Sequence, residues 1–267
     1  MTDTTAESRR FEIGRVISGT FGVIGRNFVP FALLALLLGG LPNLLMGLFQ
    51  LRFAAGAATF KFGWIGGSIL GALAMLAAAF VLQAAIVHAT VADLNGRRVV
   101  LGDSLRAGLS HCLPLIGLAI LTGLGLAVGF MLLIVPGLML MVAWSAAVPA
   151  KVVEKIGILE AFTRSRDLTR GQRWPIFGLF VLYAIAAAIL NALIQAAFAP
   201  FALGGGLSAG RSVTSGAEAL NLIQLVADPL VATITTLVST AGLAALYSEL
   251  RGAREGGGPE ALASVFD

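Results

Sequence analysis

Asp228 is the residue with the most distinctive chemistry in this sequence, because it lies inside a long apolar run and directly precedes Pro229. A carboxylate at membrane depth costs roughly 2.5–3.5 kcal/mol to insert, so it is expected to face a partner or water. Asn43, Asn191 and Gln195 fall at a similar depth on other apolar runs, counted at ~1.5 Å per residue. These four residues predict a polar intramembrane site for a proton, a cation or a polar ligand. The alternative is that Asp228 is a structural residue near the outer interface.

The two histidines and the single cysteine offer no recognisable reactive site. His88 and His111 have no spacing to each other or to acids that fits a set of metal ligands. Cys112 stands alone, which excludes an intramolecular disulfide and a cysteine cluster. The sequence contains no Ser–His–Asp order, HExxH motif, Walker loop or paired carboxylates in a plausible arrangement. We therefore predict no catalytic residue, no cofactor and no metal.

A glycine-rich run that ends at Gly129 superficially imitates a dinucleotide-binding loop. It lies within an apolar block, without the preceding strand or the later ribose-binding acid that such a loop requires. Gly125 and Gly129 fit better as a small-residue ridge that lets two helices approach closely. Gly63, Gly67 and Gly71 form a similar ridge on an earlier run.

Composition places these residues in a membrane protein. Hydrophobic residues make up 58% of the chain and charged residues 12%, whereas soluble domains carry about 25% charged residues. Several apolar blocks exceed the ~20 residues that cross a bilayer. The block 112–150 is long enough to cross twice, and Pro136-Gly137 is its predicted break. The six predicted spans are about 27–51, 62–92, 112–134, 138–150, 175–203 and 219–247. The remaining segments are too short to build a soluble catalytic domain.

The basic residues set the predicted orientation. Fifteen of the eighteen Lys and Arg fall on one side of a six-span topology, and only Arg52, Lys61 and Arg211 fall elsewhere. The positive-inside rule then places both termini in the cytoplasm of a bacterial inner-membrane protein. Residues 1–26 form a cytoplasmic segment, 27–250 the membrane domain and 251–267 a disordered tail. The net charge of +4 is explained by topology, so nucleic acid is not an expected partner.

Three inner segments share one plan, an amphipathic stretch that ends in a proline before an apolar span. They read ISGTFGVIGRNFVP, LGDSLRAGLSHCLP and FTRSRDLTRGQRWP, and they end at Pro30, Pro114 and Pro175. Aligning these prolines without gaps superposes Thr20, Ser104 and Ser165. This pattern predicts an all-α fold of six transmembrane helices in three hairpins, each preceded by a cytoplasmic amphipathic helix in the membrane interface. The alternative is that basic linkers beside a membrane resemble one another.

Arginines in or beside these segments are expected to contact lipid head groups, at about 1 kcal/mol each for anionic lipids. The expected contacts are Arg15, Arg26, Arg106, Arg164 and Arg173. The expected partners are therefore the lipid bilayer with its anionic lipids, and other membrane proteins.

The stretch 134–174 carries a further pattern. Its characteristic positions are Pro136-Gly137, Trp144, Pro149, Glu154, Glu160-Ala161, Ser165, Leu168-Thr169 and Gly171. With the opening FEIGRVISGTFGVIGRNFVPF, this pattern resembles the membrane domain attached to some glycerophosphodiester phosphodiesterases, and stand-alone inner-membrane proteins of the YciC type. The resemblance implies a six-helix inner-membrane protein of uncharacterised function. It implies no phosphodiesterase activity, because the catalytic barrel of that fusion is a separate domain.

Two functions follow as hypotheses. The first is a non-enzymatic inner-membrane protein that serves envelope or lipid homeostasis or partners other membrane proteins. The second is a small transporter or permease in which Asp228 couples to an ion. A water-filled cavity that reaches Asp228 would favour transport, and lipid bound between the inner helices would favour the first function.

Overall fold

The computed structural model describes residues 11–55, 61–207 and 213–255, with side chains described outside 50–65, 195 and 198–230. The described residues are helical, with no strand among them. Within the described residues, six segments are long and apolar enough to cross a membrane. These are Phe28–Phe49, Gly66–Leu94, Leu101–Leu132, Ile134–Glu154, Arg173–Ile194 and Val231–Glu255, which we number as spans 1 to 6. The predictions of an all-α fold and of six spans are confirmed, and the chain is a multi-pass membrane protein.

The helices follow the apolar runs closely. They are α1 Ile13–Arg26, α2 Phe28–Ala35, a π-helical segment Leu36–Gly40, α3 Leu41–Ala55, α4 Lys61–Leu94, α5 Leu101–Leu132, α6 Ile134–Ala143, α7 Ala147–Glu154, α8 Ile158–Thr169, α9 Arg173–Leu207 and α10 Val213–Glu255. Span 1 combines α2, the π-helical segment and α3, and span 4 combines α6 and α7. The other spans are single helices.

The amphipathic stretches end in different ways. Asn27 ends α1, where its side-chain Nδ2 donates to the carbonyl of Val23. Gly171, with a φ of 86°, follows the end of α8 in the left-handed conformation that glycine adopts without strain. The second stretch has no such residue before Pro114, so it forms the first part of the single helix α5, which is span 3 as a whole. The prediction of a separate second helix was therefore wrong.

The break between spans 3 and 4 lies at Leu133, a few residues before the predicted Pro136-Gly137. Leu133 is extended, and Pro136 lies in the first turn of α6, where a missing N–H costs no helical bond. Gly137 is needed for close packing rather than for the turn. A Cβ on Gly137 would lie 2.5 Å from Cδ1 of Phe130.

The tail predicted to be disordered, 251–267, includes residues that are helical. The helix α10 continues past Arg251 to Glu255, and Arg251 Nε donates to Glu255 Oε2 at 2.7 Å across one helical turn. This i, i+4 pair favours helix at the end of span 6. Residues 256–267 lie outside the described residues.

The core lies at one end of the bundle, between the even-numbered spans. The helices α4, α7 and α10 contact one another there, and each odd-numbered span contacts two of the even-numbered spans. The contact surfaces are rich in small residues, including Ala84, Ala147, Ala150 and Ala244, all fully buried. Small side chains allow helix backbones to approach closely in a membrane.

Candidate functional site

Each even-numbered span carries an acidic residue near the same end of the bundle, and each acid is paired with an arginine from α1 or α8. The nearest nitrogen–oxygen distances are 2.5 Å for Arg26–Asp93, 3.0 Å for Arg164–Glu154 and 2.6 Å for Arg15–Glu249. Asn27 Nδ2 also donates to Asp93, at 2.7 Å. These pairs gather α1, α8 and the ends of spans 2, 4 and 6 at one face, which we call the inner face.

Glu154 is the centre of a longer polar chain on the inner face. Arg164 Nε lies 3.0 Å from both Glu154 oxygens, and the buried Tyr247 donates its hydroxyl to Glu154 at 2.7 Å. Arg164 also contacts Glu255, which in turn accepts from Arg251. Charge-assisted hydrogen bonds of this kind are the strong ones in proteins. This network of side-chain hydrogen bonds therefore joins α7, α8 and α10 at the inner face.

A polar cleft of about 700 Å³ lies between α1, α4 and α10 on the inner face. Its charged lining residues are Arg15, Arg26, Arg251, Glu249 and Glu255. Each of these arginines is ion-paired with a carboxylate, so the cleft carries charges of both signs. The Glu249 hydrogen bond raises the pKa of Arg15, and the Asp93 hydrogen bond raises the pKa of Arg26.

A separate apolar groove of about 250 Å³ lies between α1, α9 and α10. Its lining includes Ile17, Phe21, Leu182, Ala186 and Leu243, and little of its surface is polar. Phe21 and Leu182 are both about half exposed, so the groove is open at its side. The contact between α1 and α10 separates it from the polar cleft.

A model of the family described as Domain of unknown function (DUF7847) matches residues 116–250, half of the chain. The chain belongs to the DUF7847 family. No curated protein and no solved structure matches it. The family region covers most of span 3 and all the helices from α6 to nearly the end of α10, so Glu154, Arg164 and Tyr247 fall within it. The helix α1, with its ion pairs and its side of the groove, lies outside it, whereas the groove residues of α9 and α10 lie within it.

Three of the five arginines expected to contact lipid are engaged within the protein. Arg15, Arg26 and Arg164 pair with carboxylates. Arg106 is exposed and makes no ion pair among the described residues. The Nε of Arg173 is buried and has no hydrogen-bond partner in the described part of the chain. Lipid contact by these residues stays a prediction.

The predicted polar site in the outer half is only partly described. Asn43 Nδ2 donates to the carbonyl of Gly39 in its own span, at 2.7 Å, and Asn191 is exposed on α9. These two amides are therefore not joined in a buried site. The side chains of Asp228 and Gln195 lie outside the described residues, so their role stays a prediction.

Sequence reasoning missed the ion-paired acids on the inner face. Asp93, Glu154 and Glu249 each stand where an apolar run meets a basic segment, and that position was the available signal. An acid at the end of a span, among many arginines, is expected to pair with one of them. Local sequence does not identify which arginine pairs with which acid. Arg15 and Glu249, for example, lie at opposite ends of the chain.

Proposed function

We propose that this DUF7847-family protein is a non-enzymatic protein of the bacterial inner membrane that binds inner-leaflet lipid and serves envelope or lipid homeostasis. The observation that carries the proposal is the apolar groove between α1, α9 and α10. The resemblance to the membrane domain of glycerophosphodiester phosphodiesterases is consistent with a role beside lipids rather than in chemistry.

The depth of the groove supports an acyl chain as its occupant. Its α9 lining runs from Leu179 to Ala186, roughly 9–20 Å along span 5 from Arg173. With both termini in the cytoplasm, this depth runs from the inner leaflet to just beyond the middle of the ~30 Å hydrocarbon layer. A lipid tail that enters beside Phe21 and Leu182 passes from one apolar environment to another, so van der Waals packing against the groove, not exclusion of water, would hold it.

Three units, each an inner segment plus a hairpin, form the proposed architecture. Several of the positions that the proline alignment superposes share their burial. The hydroxyl residues ten positions before the prolines are buried, and they are Thr20, Ser104 and Ser165. The residues just before the prolines are exposed and apolar, and they are Val29, Leu113 and Trp174. The residues just after the prolines are fully buried, and they are Phe31, Leu115 and Ile176.

The packing of the inner segments supports the same architecture. The helix α1 packs on α10, the start of α5 packs on α4, and α8 packs on α7. A Cβ on Gly108 would lie 2.5 Å from the Val81 carbonyl oxygen, so the start of α5 is close against α4. Each inner segment thus docks on the second span of the preceding unit, and the first segment docks on the last. A cyclic arrangement of three related units accounts for this order.

Native mass spectrometry of the full chain, extracted with its membrane lipids, tests the function. The groove-filling variant Ala186→Phe should lose most of the retained lipid because its ring occupies the groove. Ala188→Phe is the matched control, since Ala188 is also exposed on α9 but does not line the groove. Equal lipid retention by the two variants, or no lipid on the parent protein, would overturn the proposal.

A further inference from the structure

A second polar pocket, of about 460 Å³, lies where the connection 95–100 meets the end of α1. It is shallow and opens widely to the surroundings of the inner face. Its charged and polar side chains are those of Arg26, Asn27, Asp93, Arg97 and Arg98. We call it the connection pocket, and it is distinct from the apolar groove.

The charges of the connection pocket are unbalanced. Asp93 is the only acid in its lining, and Arg26 and Asn27 already bond both of its oxygens. Arg97 and Arg98 are exposed and make no ion pair within the described residues. In the described part of the chain, two guanidinium groups are thus left without a counter-charge, in contrast to the ion-paired polar cleft.

The turn that presents these two arginines is well defined. Gly96 has a φ of 71° and ends α4, and its N–H donates to the carbonyl of Asp93 at 2.9 Å. The N–H of Arg97 donates to the carbonyl of Ala92, also at 2.9 Å. This is the pattern of a helix that ends at a left-handed glycine. Arg97 and Arg98 therefore start from a fixed backbone beside Asp93.

The pocket lies at the height of lipid head groups. Phe28 and Val29 follow its lining residue Asn27, and both are exposed apolar side chains. Val100 and Leu101 come directly after the lining residues of the connection, and they are also exposed. Exposed apolar residues directly beside free arginines are typical of a protein surface at the membrane interface.

We infer that the connection pocket binds a phosphate group, with Arg97 and Arg98 as its principal ligands. Guanidinium groups match phosphate oxygens through paired N–H donors, and a phosphate supplies the missing negative charge. The head group of an anionic inner-leaflet lipid and free phosphate share this chemistry. The lipid as source rests on the proposed function, whereas the phosphate site itself does not.

The test compares two double variants of the full chain in phosphatidylcholine nanodiscs that contain phosphatidylglycerol. R97Q/R98Q should lower the preference for retained phosphatidylglycerol over phosphatidylcholine on the order of tenfold. The matched control R166Q/R170Q removes the same charge from exposed positions on and beside α8 and should retain the parent preference. An equal loss in both double variants would show a diffuse electrostatic effect and overturn the site.

Calorimetric titration of the protein with inorganic phosphate distinguishes a lipid head group from free phosphate as the source of the bound group. Phosphate binding that is lost in R97Q/R98Q without a change in lipid preference would keep the site and assign it to a soluble phosphate compound. No loss of either phosphate or lipid binding in R97Q/R98Q would overturn the inference. Groove filling by Ala186→Phe should lower total lipid retention without changing head-group preference, so the failure of one proposal is distinguishable from the failure of the other.

Discussion

Ser165 Oγ donates to the carbonyl oxygen of Ala143 at 2.8 Å, which places a side chain of α8 inside a break in span 4. Ser165 Oγ also accepts the N–H of Ala146, on the other side of the break, at 3.1 Å. Ser165 is fully buried, so water does not compete for these bonds. A membrane span with a broken helix needs such partners, because unpaired backbone groups in hydrocarbon cost several kcal/mol. The helix α8 is therefore part of the bundle, not only a cover on its inner face.

Removal of this hydroxyl should destabilise the protein. Ser165→Ala leaves the Ala146 N–H without its acceptor, so we expect a loss of about 1–3 kcal/mol in the free energy of unfolding. Unfolding in mixed micelles with a denaturing detergent measures it. Ser110→Ala is the control, because Ser110 is exposed and bonds only within its own helix and to its neighbour His111. A loss in the control as large as that in Ser165→Ala would contradict this role for Ser165.

The Glu154 carboxylate should contribute more to stability than an exposed acid of α8. Glu154→Gln weakens the bonds from Arg164 and Tyr247 together, so we expect a loss of about 1–3 kcal/mol. Asp167→Asn, at an exposed position of α8, should change stability by less than about 0.5 kcal/mol. Thermal unfolding of the purified variants gives the comparison. If Tyr247→Phe lowers stability equally in the parent and in Glu154→Gln, the two residues do not act as a unit.

Local sequence was sufficient for the spans but not for their interruptions. Apolar runs longer than a bilayer, and the prolines that begin spans 1 and 5, are signals contained in a few neighbouring residues. The break at Trp144–Ala146 depends on Ser165, which is distant in the chain and belongs to another helix. Its signal was the superposition of Ser165 with Thr20 and Ser104, which marked the residue without identifying its partner.

The site was less predictable for a related reason. Arg15 was expected to contact lipid because basic residues beside a membrane usually do, yet it bonds Glu249 from the other end of the chain. Conversely, Arg97 and Arg98 were counted only for topology, and they are among the arginines that make no ion pair within the described residues. Which arginine finds a carboxylate is decided by the helix packing.

Two glycines of the glycine-rich run in span 3, Gly123 and Gly125, should respond in opposite ways to replacement by alanine. A Cβ on Gly125 would overlap the ring of Trp144, whereas a Cβ on Gly123 would meet nothing within 4 Å. Gly125→Ala should therefore destabilise the protein by about 1–3 kcal/mol through overpacking. Gly123→Ala should be neutral, or stabilising by up to about 1 kcal/mol through its higher helix propensity. Detergent unfolding of both variants checks this pair, and equal effects would show that span 4 does not pack here as described.

The orientation of the bundle can be tested with single cysteines in a Cys112→Ala background. Cys112 is half-buried and makes one weak contact with the Ala77 carbonyl, so its replacement should be tolerated. With the inner face in the cytoplasm, Arg166→Cys on α8 should react with a membrane-impermeant maleimide only after spheroplasts are lysed. Arg211→Cys, between α9 and α10 and outside the described residues, should react in intact spheroplasts. The reverse labelling pattern would invert the topology, and it would move the apolar groove and the connection pocket to the outer leaflet.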